Sequence, residues 1–257
     1  MSDSERQSRI REYLTRYNEM EIGKLSELLK VSPSTIRREI RGMEASGFLV
    51  RTHGGVRMHA PLQYEPPYEK RASSNVDGKR AIAAAARQMI SPGQVIGISG
   101  GTTCTELARQ LRFVKGITVV TNAINVALEL YGQSSIRVMV TGGFLNHNSY
   151  ELVGNQTSES LQPVHMDMAF LGASGIDPDF GLSMSDEPEV LVGHAFMAAA
   201  DRTVVLADSS KIGRKTFARL APLSEIDLVI TDDGITAEQR ALIERTNLKM
   251  LVGASEQ

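Results

Sequence analysis

Between residues 95 and 252 the chain repeats one formula, an apolar strand, a small polar turn and then a helical pattern, and this repetition leaves few folds open. The strands are expected at Val95 to Ile98, Thr118 to Val120, Arg137 to Val140, Met168 to Leu171, Thr203 to Ala207, Leu228 to Ile230 and Met250 to Val252. Short continuous apolar runs separated by helical patterns predict a mostly parallel sheet covered on both faces, and so an α/β domain. In such a sheet ligands bind beyond the carboxyl ends of the strands, which makes the turns the place to look for chemistry.

Those turns are alike. They read Ser99, Gly100, Gly101, Thr102, Thr103 after the first strand, Thr121, Asn122 after the second, and Thr141, Gly142, Gly143 after the third. The fourth is followed by Gly172, Ala173, Ser174, Gly175 and the fifth by Asp208, Ser209, Ser210, Lys211. Glycines let backbone N–H groups approach an anion, hydroxyls add donors, and a helix at Thr102 to Ala108 aims its positive end at the site. Lys211 adds a compact positive charge suited to phosphate. One such turn alone is a tight turn or a helix cap. Several on one sheet edge predict a site for a small, polyhydroxylated, phosphorylated molecule. Cys104 stands at a helix start, where a thiol pKa can fall, yet it reads better as a small buried filler. His147, His165 and His194 have neither metal nor triad spacing and read as structural. Neither a catalytic residue nor a cofactor nor a metal is expected.

The first 57 residues follow another pattern. Ile10, Tyr13, Leu14 and Tyr17 share one face of a helix over residues 4 to 17, and Ile22, Leu25, Leu28 and Leu29 recur at helical spacing. Ser32 and Pro33 read as the cap and first residue of a further helix. Its first turns carry Ser34, Thr35, Arg37 and Arg38, where a recognition helix meets base edges and phosphates, with Arg41 one turn on. Phe48 to Thr52 alternates as a strand, and His53, Gly54 and Gly55 supply a turn that permits positive φ before Val56 resumes. The segment therefore predicts a winged helix-turn-helix. Residues 30 to 57 hold Lys30, Arg37, Arg38, Arg41, Arg51 and Arg57 against Glu39 and Glu44, six cations to two carboxylates and a net of +4, whereas the whole chain carries −2. A basic module on an acidic remainder suits a protein that docks one end on phosphate.

At 257 residues there is room for one small and one ordinary domain. The expected division is a DNA-binding domain over 1–57, a semi-rigid linker over 58–76 containing Pro61, Pro66 and Pro67, and an α/β domain over 77–257 that opens with an alanine-rich helix, Lys79 to Met89. No apolar run approaches the roughly 18 residues of a membrane span, and Met1 to Arg11 is too polar for a signal sequence. A single cysteine fits a reducing cytoplasm, and a cytoplasmic location without membrane contact is expected.

Over nearly the whole chain these residues resemble the DeoR family of bacterial transcription regulators. The reading-helix signature stands as Val31, Ser32, Thr35, Ile36, Arg37, Arg38, and the wing signature as Arg51, His53, Gly54, Gly55. The likeness continues through Gly101, Thr102, Thr103, through Thr121, Asn122 and Gly142, Gly143, and through Asp208, Ser209, Ser210, Lys211, Ile212, Gly213. It implies repression of a carbohydrate catabolic operon, relieved by a phosphorylated sugar, and a sensor domain similar to ribose-5-phosphate isomerase. The chain departs from the family pattern at Glu39, where the family has Asp, and at Val190 and Gly193, where it has Ala and Lys.

The DNA-contacting set is thus expected to be Ser34, Thr35, Arg37, Arg38, Arg41, Arg51, His53 and Arg57. The effector-contacting set is expected to be Ser99, Gly100, Gly101, Thr102, Thr103, Thr121, Asn122, Gly142, Gly143, Ser174, Glu189 and Lys211. A homo-oligomer, dimer or tetramer, would place two modules on paired half-sites of a double-stranded operator. The alternative is a sugar-phosphate isomerase-like enzyme with an appended DNA-binding module. It would need a carboxylate base, for which Asp186, Glu187 and Glu189 are available.

Overall fold

The computed structural model describes residues 6–7, 9–10, 13–14, 19–45, 49–52, 54–58 and 66–254. The chain divides into two compact units, Met1–Tyr64 and Glu65–Gln257.

In the smaller unit the described residues between 6 and 14 are helical and bury Ile10 and Leu14; Tyr17 lies outside the described residues. Helix Ile22–Leu29 buries Leu25 and Leu29 and ends at Lys30, whose left-handed φ of 54° turns the chain. Helix Pro33–Ala45 then begins as the Ser-Pro pair predicts: Ser32 Oγ accepts from the Thr35 amide at 3.2 Å. Its apolar side chains Ile36, Ile40 and Met43 close one core with Leu25, Leu29, Leu49 and Val56. Three short antiparallel strands, β1 (Glu19–Glu21), β2 (Leu49–Arg51) and β3 (Gly55–Met58), pair in the order β1-β3-β2. Strand β1 has too few residues to show alternation and was not legible in the sequence. The wing turn closes between Thr52 and Gly55, and Gly54 supplies the positive φ, 91°.

The larger unit holds β4 (Val95–Ile98), β5 (Ile117–Thr121), β6 (Ile136–Val140), β7 (Phe144–Asn146), β8 (Glu151–Val153), β9 (Met168–Gly172), β10 (Gly175–Asp177), β11 (Gly181–Met184), β12 (Thr203–Leu206), β13 (Ala218–Ala221), β14 (Leu228–Asp232) and β15 (Met250–Gly253). Seven of these, all anticipated, form one sheet in the order β15-β14-β12-β9-β4-β5-β6 with every pair parallel. The winding leaves β4 toward β5 and β6, then resumes at β9 on the other side, so the sheet reverses direction between β4 and β9. A crevice opens at such a switch point. One core packs Ile82, Leu107, Leu111 and Phe170 on one face, and a second packs Leu161, Phe196, Leu171 and Ile243 on the other. Each fully buried side chain of this size contributes about 1.5–3 kcal/mol.

Two antiparallel additions were not foreseen: the hairpin β7–β8, and the sheet β10-β11-β13. Within the stretch read as a linker, residues 59–65 lie outside the described residues, while Tyr68–Ala72 forms a short helix. The alanine-rich helix starts earlier than expected and spans Val76–Arg87.

Candidate functional sites

On the reading helix the buried positions are Ile36, Glu39, Ile40 and Met43, which leaves Ser34, Arg37, Arg38 and Arg41 exposed along one stripe at helical spacing. The hydroxyls of Ser34 and Thr35 lie 2.7 and 2.9 Å from Ser32 Oγ and hold that capping hydroxyl in place. Arg57 is exposed on β3. Arg51 is exposed beside the wing turn but its Nε meets Glu44 Oε2 at 3.1 Å, which offsets part of its charge. His53 lies outside the described residues. Glu39 does not face outward as a reading-helix variant would. It is 3% exposed and accepts from Arg6 Nη2 at 3.1 Å and Gln7 Nε2 at 2.9 Å, which ties the first helical segment to the reading helix.

In the larger unit a cavity of about 180 Å³ opens at the ends of β4, β9 and β12. Of the effector-contacting residues expected from the sequence, Ser99, Gly100, Gly101, Thr102, Thr103, Ser174, Glu189 and Lys211 line it. Thr121, Asn122, Gly142 and Gly143 do not. Thr121 is fully buried, with Oγ1 accepting from the Ala123 amide at 3.0 Å. Asn122 stands behind the cavity, donating to Glu151 at 3.3 Å and to the Leu152 carbonyl at 3.1 Å. Gly142 and Gly143 pack under helix Asn155–Leu161, where Thr157 Oγ1 donates to the Gly142 carbonyl at 2.7 Å. They follow β6, the edge strand, two strands from the switch point.

The cavity wall is built from several elements at once. Gly101, at φ 108°, begins helix Thr102–Leu111 without a side-chain cap, which leaves its first amides open to an acceptor. Ser99 Oγ accepts from the Gly172 amide at 3.0 Å and fastens the two turns at the switch point. After β12, the Ser209 amide donates to Asp232 Oδ1 at 2.6 Å and Gln239 Nε2 donates to the Ser209 carbonyl at 2.8 Å. This double anchor fixes the turn that carries Lys211. Of the carboxylates considered as enzymatic bases only Glu189 lines the cavity; Asp186 and Glu187 do not.

Several lining residues had no sequence signal strong enough to single them out: Arg71, Lys79, Ser149, Glu151 and Arg214. Lys79 is 2% exposed and donates to the carbonyls of Arg71 and Ser74. Burial pulls its ammonium below the ordinary lysine value, against the attraction of Asp208. A charged residue in the first turns of an alanine-rich helix was a hint, but one that Asp77 and Arg80 share. Ser149 is 3% exposed and its Oγ has no hydrogen-bond partner. A buried polar atom left so costs about 1–3 kcal/mol, and here it belongs to the wall of a cavity. Gly193 lies on helix Glu187–Ala198. A Cβ there would lie 2.8 Å from Leu220 Cδ2, so the Leu220 side chain of β13 packs directly against Gly193 and would have to shift for a larger residue. Cys104 is a filler: it is fully buried, and burial pushes its thiol up to about 12.

Residues 6–61 match the DeoR-like helix-turn-helix domain and residues 74–233 the DeoR C terminal sensor domain. The HTH-type transcriptional regulator GlpR of Haloferax volcanii is 34% identical over 255 residues, covering 99% of this chain and 100% of that protein. The HTH-type transcriptional repressor GlcR of Bacillus subtilis is 31% identical over 252 residues, covering 98% and 97%. Among solved structures, ribose 5-phosphate isomerase A of Methanocaldococcus jannaschii aligns at 20% identity with a TM-score of 0.40, over 54% of this chain and 55% of that one.

Proposed function

This chain belongs to the DeoR family of transcription regulators, and on that footing we propose that it represses a carbohydrate catabolic operon until a phosphorylated sugar enters the cavity of its larger unit. The family makes it a DNA-binding regulator and not an enzyme. The observation that carries the effector reading is the composition of one cavity wall. Arg71, Lys79, Lys211 and Arg214 supply positive charge, the glycine turn and helix start supply amides, and Ser99, Ser149, Ser174 and Glu189 supply groups for hydroxyls. Phosphate needs the first two sets and a polyol the third. Ser34, Thr35, Arg37, Arg38, Arg41 and Arg57 are the proposed DNA contacts, with Arg51 a partly neutralised neighbour.

The proposed assembly is a dimer or tetramer in the cytoplasm, holding two reading units on paired half-sites. Among the described residues no helix is long and apolar enough to cross a membrane. Induction requires the sugar phosphate to bind the DNA-competent and DNA-released states unequally. A coupling of about 1–3 kcal/mol changes operator affinity roughly 5- to 150-fold, enough for control. A thermal-shift screen of sugar phosphates against the intact chain tests the reading, because a ligand specific for the folded state raises its melting temperature with concentration. Phosphorylated sugars should raise it and the matching free sugars should not, and Lys211→Ala should need at least tenfold more ligand for the same rise. Equal responses to free and phosphorylated sugars would remove the phosphate claim.

A further inference from the structure

The glycine turn that should cradle an anion has a carboxylate side chain packed against it. A Cβ built on Gly100 would lie 2.1 Å from both Cγ and Oε1 of Glu151 and 2.2 Å from its Cδ, so the Glu151 side chain packs directly against the Cα of Gly100 at the mouth of the turn. Gly100 and Gly101 open helix Thr102–Leu111, whose start has no side-chain cap and whose positive end attracts negative charge. Asn122 holds the carboxylate from behind through its 3.3 Å bond. We propose that Glu151 is a resident competitor for the ligand's phosphoryl group, which must displace it from the Gly100–Gly101 cradle to bind. The proposal rests on the reading of the cavity as a phosphate site. It assigns Glu151 a specificity role that the site chemistry alone does not: a neutral sugar has nothing with which to evict a carboxylate, whereas a dianion with three acceptor oxygens does.

The same residue links the cradle to the chain leaving the cavity. Glu151 opens β8, and the preceding Tyr150 adopts φ 61°, a conformation rare for an aromatic residue. Tyr150 OH donates to Glu69, its ring meets Tyr68 edge to face at 5.0 Å, and Arg71 Nη2 donates to the Asn148 carbonyl at 3.4 Å. Moving Glu151 therefore pulls on the loop Asn146–Glu151 and on helix Tyr68–Ala72, the first element of the larger unit in chain order. In the same loop the unpartnered Ser149 hydroxyl waits for an acceptor.

The test titrates the intact wild-type chain, Glu151→Gln, Glu151→Ala and Lys211→Ala with inorganic phosphate by calorimetry, after melting curves establish that each variant is folded. Glu151→Gln keeps the side-chain size and removes the charge; it should bind phosphate at least fivefold more tightly than wild type. Glu151→Ala should also gain, and Lys211→Ala should lose at least tenfold. Hydrogen exchange over residues 144–153 should rise with phosphate in wild type and not in Glu151→Gln. If Lys211→Ala loses affinity while neither Glu151 variant gains, the competitor role is overturned and the phosphate site stands. If phosphate binds none of the four chains, or binds Lys211→Ala as well as wild type, the cavity reading falls and the competitor role with it.

Discussion

The two units handle positive charge in opposite ways. On the reading helix Arg37, Arg38 and Arg41 stand exposed in a stripe, whereas in the larger unit Lys79, Arg71 and Lys211 turn into a cavity, Lys79 only 2% exposed. On the proposed reading both address phosphate. A duplex presents its charges along a line, so the matching surface is open and its contacts are separable. A small molecule is surrounded, so its contacts converge from distant segments and depend on one another. The contrast teaches where substitution should be additive and where it should not.

The comparison breaks first at Glu39, where the reading unit, among its described residues, buries charge. Glu39→Ala removes the buried carboxylate to which both Arg6 and Gln7 donate, and losing hydrogen bonds to a charged group costs about 1.5–3 kcal/mol. Hydrogen exchange across residues 19–58 of the intact chain should show the loss of protection; undiminished protection would make Glu39 a surface residue in all but accessibility. The next effect belongs to the stripe. Arg37→Ala and Arg38→Ala should each weaken operator binding by about 1–3 kcal/mol in fluorescence anisotropy, with a phosphate contact lowering the salt slope by about 1. The double variant should show the sum of the two losses. Affinities equal to wild type would remove the recognition-helix assignment.

This difference between open and converging sites also explains what could be read from the sequence. The stripe was legible because Ser34, Arg37, Arg38 and Arg41 lie within eight consecutive residues of one amphipathic helix, and helical spacing fixes which side chains share a face. The seven parallel strands were legible because each is a continuous apolar run. The turns at the switch point were found too, since sheet topology puts the ends of β4 and β9 side by side. Asn122 was drawn into the effector set because it follows a strand, but it serves the cavity only through Glu151. Glu151 and Ser149 were missed because their hairpin has three-residue strands with no alternation to detect. Arg71 was missed because its helix of five residues sits among prolines and nothing local says which way it faces.

Two smaller effects sharpen the contrast. Ser32→Ala removes the cap of the reading helix and should cost about 1 kcal/mol, read as a lower denaturation midpoint for the smaller unit with operator affinity falling alongside. Smallest is Glu44→Gln. The pair with Arg51 is half exposed, so stability should change by less than about 1 kcal/mol. Freed from its partner, Arg51 should raise DNA affinity a few-fold at low salt, and the gain should vanish at high salt. A gain that survives high salt would mean that Arg51 is not acting as an exposed charge.

The most direct test of the whole account is a titration of the intact chain, bound to a fluorescent fragment of its own promoter, with phosphorylated sugars and their unphosphorylated counterparts. The account predicts saturable release of the DNA by at least one phosphorylated sugar and none by the free sugars at the same concentrations. DNA binding that no sugar phosphate changes, or that free sugars change equally, would contradict it.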